Sequence, residues 1–203
     1  PIRDAAEDFY FFNKLAKVGP IGRISRTRVH PSSRRSARVP FGTGSSVGRY
    51  LEGDRGVDRL YDPQIFAVLK AWLCRTNGDV LRDEEDVLAT AQRIHPALGK
   101  FLAERRFPAA WRRIRRSTRR AEVLRRHFHS WSDGFQTLKL VHWLTDALFP
   151  RIDAAEAVER LCRMQNAPLR EPVADGSHAA EGREALLDHL RRVQPRQGER
   201  IVA

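Results

Sequence analysis

Apolar residues recur every three to four positions over most of this chain, and the interruptions of that rhythm mark its elements. Ala5, Phe9, Phe12, Leu15 and Ala16, widened by Tyr10 and Phe11, predict an amphipathic helix over residues 2–18, ended by Gly19-Pro20. Its acids lie early and Lys14 and Lys17 late, in the order that the helix dipole favours. From Asp62-Pro63, an N-cap followed by a first-turn proline, the rhythm resumes with Ile65, Phe66, Leu69, Trp72 and Leu73, and Asn77-Gly78 closes that helix. A further helix opens on Asp83, Glu84, Glu85 and Asp86, turns Val87, Leu88, Ala91 and Ile94 inward, and ends at His95-Pro96. The short segment 97–106 carries Leu98, Phe101 and Leu102.

The stretch from Phe107 to Trp131 predicts one helix with two sharply different sides. Trp111, Ile114, Thr118, Ala121, Leu124, Phe128 and Trp131 form the apolar side, while Arg112, Arg115, Arg116, Arg119, Arg120 and Arg126 form the other, with Arg113 and Arg125 near the seams. After it, Ser132-Asp133 caps a helix with Phe135, Leu138, Val141, His142, Leu144 and Leu148, the most hydrophobic of the set and the expected centre of the core. Asp153 caps the next, with Ala157, Val158, Leu161 and Cys162 inside, and a last helix is expected over residues 179–193 with Leu186, Leu187 and Leu190. No strand-like alternation persists. The fold class expected is all-α: about seven helices in an irregular bundle with a long non-helical basic extension near the N-terminus.

That extension breaks the pattern. Residues 19–50 contain no acid, are dense in Gly, Pro and Ser, and hold Arg23, Arg26, Arg28, Arg34, Arg35, Arg38 and Arg49. No apolar period lasts long enough there for a helix, and such segments commonly order only against RNA. The division expected is therefore an N-terminal helix (1–18), a basic RNA-threading segment (19–61), a helical domain (62–193) and a C-terminal tail (194–203). Gly42-Thr43-Gly44-Ser45-Ser46-Val47-Gly48 is not read as a phosphate loop, because it lacks the preceding strand and the lysine of that motif.

Charge sharpens the picture. The 203 residues carry a net charge of +12 and a pI near 10.8, which points to a polyanionic partner. Residues 99–131 hold eleven basic residues against Glu104 and Glu122, a net of +9, whereas residues 132–193 hold eight against ten acids, a net of −2. Arginine outnumbers lysine 32 to 5, and guanidinium forks bind phosphate bidentately.

Catalytic chemistry has no foothold in the pattern. His127 and His129 do not share a helical face, and His129 with Asp133 falls short of a metal's ligand count. Both histidines are read as extending the basic face or capping the helix, and His142 as a core or interface residue. Cys74 and Cys162 are read as buried free thiols. No stretch is long and apolar enough for a membrane span. No cofactor, metal, small-molecule substrate or enzymatic activity is expected.

An acid-free Arg/Gly/Ser excursion joined to a small helical body resembles the layout of many ribosomal proteins. That resemblance implies a structural component of a large ribonucleoprotein, binding rRNA through the Arg-rich helix and the basic segment, with neighbouring proteins of the same assembly as its other partners. With Pro1 as first residue, a mitochondrial ribosome is expected, reached by a transit peptide absent from this numbering. The alternative is an accessory, non-catalytic subunit of another mitochondrial membrane or respiratory complex. A sequence-reading DNA-binding helix is disfavoured, since the Arg-rich stretch has no Asn or Gln to read base edges.

Overall fold

A computed structural model describes residues 7–22, 27, 29, 32, 34–35, 42–78 and 83–165; the helix expected over 179–193 and the tail lie outside the described residues. The fold is all-α. In chain order the elements are α1 (Glu7–Leu15), α2 (Thr43–Leu51), a 3-10 turn (Arg55–Asp58), β1 (Arg59–Leu60), α3 (Pro63–Gly78), α4 (Glu84–Ile94), α5 (Pro96–Glu104), α6 (Phe107–Ser117), α7 (Ala121–Trp131), α8 (Gly134–Ala147), β2 (Ile152–Asp153) and α9 (Ala154–Met164). They form two compact units, one drawn from Pro1–Leu60 and Ile152–Ala203, the other from Tyr61–Arg151.

In the first unit, β1 and β2 pair antiparallel, Arg59 opposite Asp153 and Leu60 opposite Ile152, so the chain leaves and rejoins this unit at one place. The Asp153 carboxylate accepts from Ala155 N at 2.8 Å and starts α9, which buries Ala157, Val158 and Cys162. Helix α1 has no buried residue; Phe11 and Phe12 are 59% and 52% exposed. Helix α2 corrects the sequence expectation, which left residues 43–51 extended. Val47 and Leu51 supply a four-residue spacing too short to register as a period. Beyond the helix, Glu52 N–H bonds to Gly48 O at 3.1 Å. Gly48 is buried, and a Cβ there would stand 3.4 Å from Arg35 Cγ, so its lack of side chain seats the Arg35 stem.

In the second unit the core centres on α5, not on α8 as hydrophobicity alone suggests. Ala97, Leu98, Gly99, Phe101 and Leu102 are all buried, whereas Leu138 of α8 is 41% exposed. Total hydrophobicity ranks α8 first, but a short helix enclosed by α4, α6 and α8 is buried on more sides. His95 makes the α4–α5 corner: its N–H closes α4 on Ala91 O at 2.9 Å, and its Nδ1 accepts from Ala97 N at 3.1 Å. A Cβ on Gly99 would meet Gln92 Cγ at 2.6 Å, so this glycine permits the close approach of the two helices. Asp83 and Asp133 cap α4 and α8 by accepting from Asp86 N and from Phe135 N and Gln136 N. The α5–α6 corner turns on Arg106, held left-handed at φ 53°.

The Arg-rich stretch is two helices, not one. Helix α6 stops at Ser117, Thr118 is extended (φ −157°, ψ 151°), and α7 starts after Arg120. Two causes act together. Ser117 Oγ donates to Ile114 O at 2.7 Å and Thr118 Oγ1 accepts from Arg120 N at 3.2 Å, local bonds that compete with the helix ladder. An unbroken helix would also stack Arg112, Arg116 and Arg120, and Arg115 and Arg119, at four-residue spacing, where like charges repel. It would carry Trp131 roughly 36 Å from Phe107 at about 1.5 Å per residue. Their ring centroids are 4.3 Å apart. So α6 and α7 fold back on each other as a hairpin, with Phe107 and Trp131 at its base and residues 118–120 at its tip.

The base is sealed by aromatic packing. Phe107 meets Trp72 edge-on at 6.2 Å and Phe128 at 5.9 Å, and Trp72 meets Phe128 at 5.8 Å. Phe128 is 2% exposed, while Ile114, nearer the tip, is half-buried. Phe128→Ala is expected to destabilise this unit by about 3–5 kcal/mol, and Ile114→Ala by distinctly less. Denaturant titration of both variants checks the order.

Candidate nucleic-acid interface

The hairpin decides which arginines stand together. Arg115 and Arg116 end α6, and Arg119 and Arg120 precede α7, so four guanidinium groups bracket Thr118 at the tip. Arg116, Arg119 and Arg120 are exposed and Arg115 is half-buried. Among the described residues, the side chains of Arg113, Arg115, Arg116, Arg119, Arg120 and Arg126 form no hydrogen bond or ion pair. Arg115 and Arg116 sit well at the negative end of α6. Arg119 and Arg120 stand against the positive end of α7, where Glu122 is the one acid of the first turn. Cations in that position are disfavoured by roughly 0.3–1 kcal/mol each. The tip is thus a concentration of positive charge with no ion-paired carboxylate among the described residues. Arg126 and His127 continue it along the exposed side of α7.

Arg112 departs from the sequence expectation of a free phosphate-binding face. Its Nε and Nη2 donate to the two carboxylate oxygens of Glu84 at the start of α4. The hydrogen-bonded Arg112 holds the Glu84 carboxyl below its ordinary range, Arg116 adds to the effect, and the Arg112 guanidinium is pushed up in turn. The acids 83–86 therefore do more than complement a dipole. One caps the helix and one binds the Arg-rich helix.

The arginines of the basic segment divide in the same way. Arg35 donates to Glu52, and Arg49 Nε donates to Asp54 Oδ2 at 2.8 Å, lowering the Asp54 carboxyl. Arg34 is exposed. Arg23, Arg26, Arg28 and Arg38 lie outside the described residues. The segment is free of acid, yet carboxylates just beyond it answer two of its arginines; Glu52 and Asp54 were the available signal.

His129 does not extend the basic face. Its Nε2 donates to Asn77 Oδ1 at 2.7 Å, tying α7 to the end of α3, and burial lowers its pKa. His142 is exposed but bonded to the Tyr61 hydroxyl at 2.9 Å. Cys162 is buried, which raises its thiol pKa, whereas Cys74 is exposed, contrary to expectation, because α3 turns Trp72 and Thr76 inward instead. Among the described residues no three potential metal ligands gather, and no helix is long and apolar enough to cross a membrane.

Compared with known proteins, the chain matches no family model, no curated protein and no solved structure. The functional reading therefore rests on its own residues.

The partial burial of His129 sets a pH dependence. A histidine whose folded pKa is depressed binds fewer protons folded than unfolded, so stability falls as pH drops below the ordinary histidine value of 6.5. Melting of the wild-type chain is expected to weaken between pH 7 and pH 5, and His129→Gln to reduce that slope. Thermal melts across the range, monitored by circular dichroism, check it.

Proposed function

We propose that this chain is a structural, RNA-binding component of a large ribonucleoprotein, the mitochondrial ribosome being the assembly to test first. The α6–α7 tip binds the phosphate backbone, and the basic segment adds further contacts. One observation carries the reading: Arg115, Arg116, Arg119 and Arg120 flank the α6–α7 turn and, among the described residues, none of them has a carboxylate in an ion pair, although the same chain pairs Arg35, Arg49 and Arg112 internally. Unpaired, exposed guanidinium in that density suits a polyanion. The tip has no Asn or Gln, which favours backbone binding over base reading. The same internal ion pairs favour the second reading, an accessory subunit of another mitochondrial complex, in which the tip meets an acidic protein surface.

Replacing Arg115, Arg116, Arg119 and Arg120 together with Gln is expected to leave melting nearly unchanged, because the loss of two cations favoured at the end of α6 offsets the relief of two disfavoured at the start of α7. It is expected to flatten the salt dependence of RNA binding by roughly 0.7–0.9 logarithmic unit for each phosphate no longer bound. The wild-type chain is expected to co-sediment with mitochondrial ribosomal subunits and to be released by nuclease, and the variant to stay behind. Co-sedimentation that survives nuclease and the four replacements favours the protein-partner reading.

A further inference from the structure

We propose that Glu84 is a built-in competitor for the RNA backbone: by holding Arg112 in a two-point clasp, it withdraws that arginine from the phosphate-binding stripe of α6. This rests on the RNA reading above and adds a boundary to that surface. Arg112 stands one helical turn before Arg116, on the same stripe of α6, and sequence alone makes it an equal member of the basic face. The geometry separates it. Both Nε and Nη2 are spent on the Glu84 carboxylate, the fork-to-fork arrangement that a phosphate would otherwise take.

Glu84 is well placed to persist as that partner. It sits in the first turn of α4, where an acid is favoured by the helix dipole, and its side chain is 27% exposed against 55% for Arg112. Asp83 Oδ1 accepts from Asp86 N at 2.8 Å and fixes the start of that turn. Helices α4 and α6 pack directly, so the carboxylate is delivered by a rigid element. A phosphate arriving at Arg112 must displace an already ordered carboxylate and leave it unpaired next to a polyanion. At Arg116, Arg119 and Arg120 no hydrogen-bonded carboxylate among the described residues has to be displaced. Glu84 thus marks one edge of the RNA-facing stripe of α6.

The test uses the full chain and a stable RNA hairpin, with binding followed by fluorescence anisotropy across a salt series and folding by thermal melting. Glu84→Gln is expected to bind more tightly and to steepen the salt slope by roughly 0.9, the value for one further phosphate bound. The double variant Glu84→Gln/Arg112→Gln is expected to return to the wild-type slope. Arg112→Lys keeps the charge but loses the fork, and is expected to fall between wild type and Glu84→Gln; it serves as the second probe should Glu84→Gln melt early. A Glu84→Gln slope equal to wild type overturns the proposal. So does a gain that persists undiminished in the double variant, which makes Glu84 only a distant repelling charge. Absence of any RNA binding by the wild-type chain at low salt overturns the RNA reading itself and the proposal with it. That outcome is distinct from the other two, in which the wild type binds.

Discussion

The closure of Phe107 onto Trp131 is the constraint on which the second unit depends. A ring at the start of α6 and a ring at the end of α7 share one aromatic nest with Trp72 and Phe128, and they can do so only if the chain between them reverses. Burying such rings contributes about 1.5–3 kcal/mol each from area alone. That gain offsets the cost of breaking a helix in its middle, where a turn's worth of backbone bonds is given up to Ser117, Thr118 and water. The break falls at Thr118 because hydroxyl side chains can bond the freed backbone locally and because the arginines on either side resist being stacked. Aromatic burial at one end and charge repulsion at the other push toward the same hairpin.

The same division of labour governs the charges. Near the body of the unit, arginine is answered: Arg112 by Glu84, and Arg105 by the face of the Phe101 ring, 5.5 Å from its centroid. Toward the tip it is not. Strongly like-charged groups at a helix start oppose folding slightly, and a chain under selection for stability alone gains by replacing Arg119 or Arg120. Their presence at the positive end of α7 is a local conflict between charge and helix dipole, which is why the proposed function places a partner there. In the first unit Arg35 and Arg49 are drawn into ion pairs with Glu52 and Asp54, so net charge along a segment overstates the charge it offers.

How much of this was legible depends on the range of the interaction involved. Helix class and the caps at Asp62 and Asp153 are local, and the sequence shows them. The hairpin was not legible from periodicity, because the apolar spacing from Trp111 to Trp131 runs almost unbroken through Thr118. The break appears only once Phe107 and Trp131 are seen to share a site. Phe66 illustrates the opposite failure: it fits the apolar stripe of α3, yet it is 44% exposed, because α7 and α8 cover the stripe through Ile65, Val68 and Trp72. At the candidate interface, Arg115, Arg116, Arg119, Arg120 and Arg126 could be named from sequence. The capture of Arg112 could not, since it joins residues on two helices that only the fold brings together. The helix over residues 43–51 escaped for a different reason: glycine and serine weaken local propensity, and its order depends on contacts with Arg35 and the following turn.

The connectivity of the two units bears on how such a surface would be used. Tyr61 and Arg151, the first and last residues of the second unit, are stacked, with the guanidinium 4.2 Å from the ring centroid, and the Tyr61 hydroxyl is held by His142. The second unit is therefore closed on itself at the point where the chain enters and leaves, and β1 and β2 close the first unit at the same point in the sequence. On the proposed reading, the basic segment belongs to one unit and the hairpin tip to the other. On that same proposal, each would make modest, salt-sensitive phosphate contacts. Joined in one chain, the second contact forms at the effective concentration set by the first, and weak contacts combine into firm attachment. A chain that paired its tip arginines internally would be more stable alone and would give up one of the two holds.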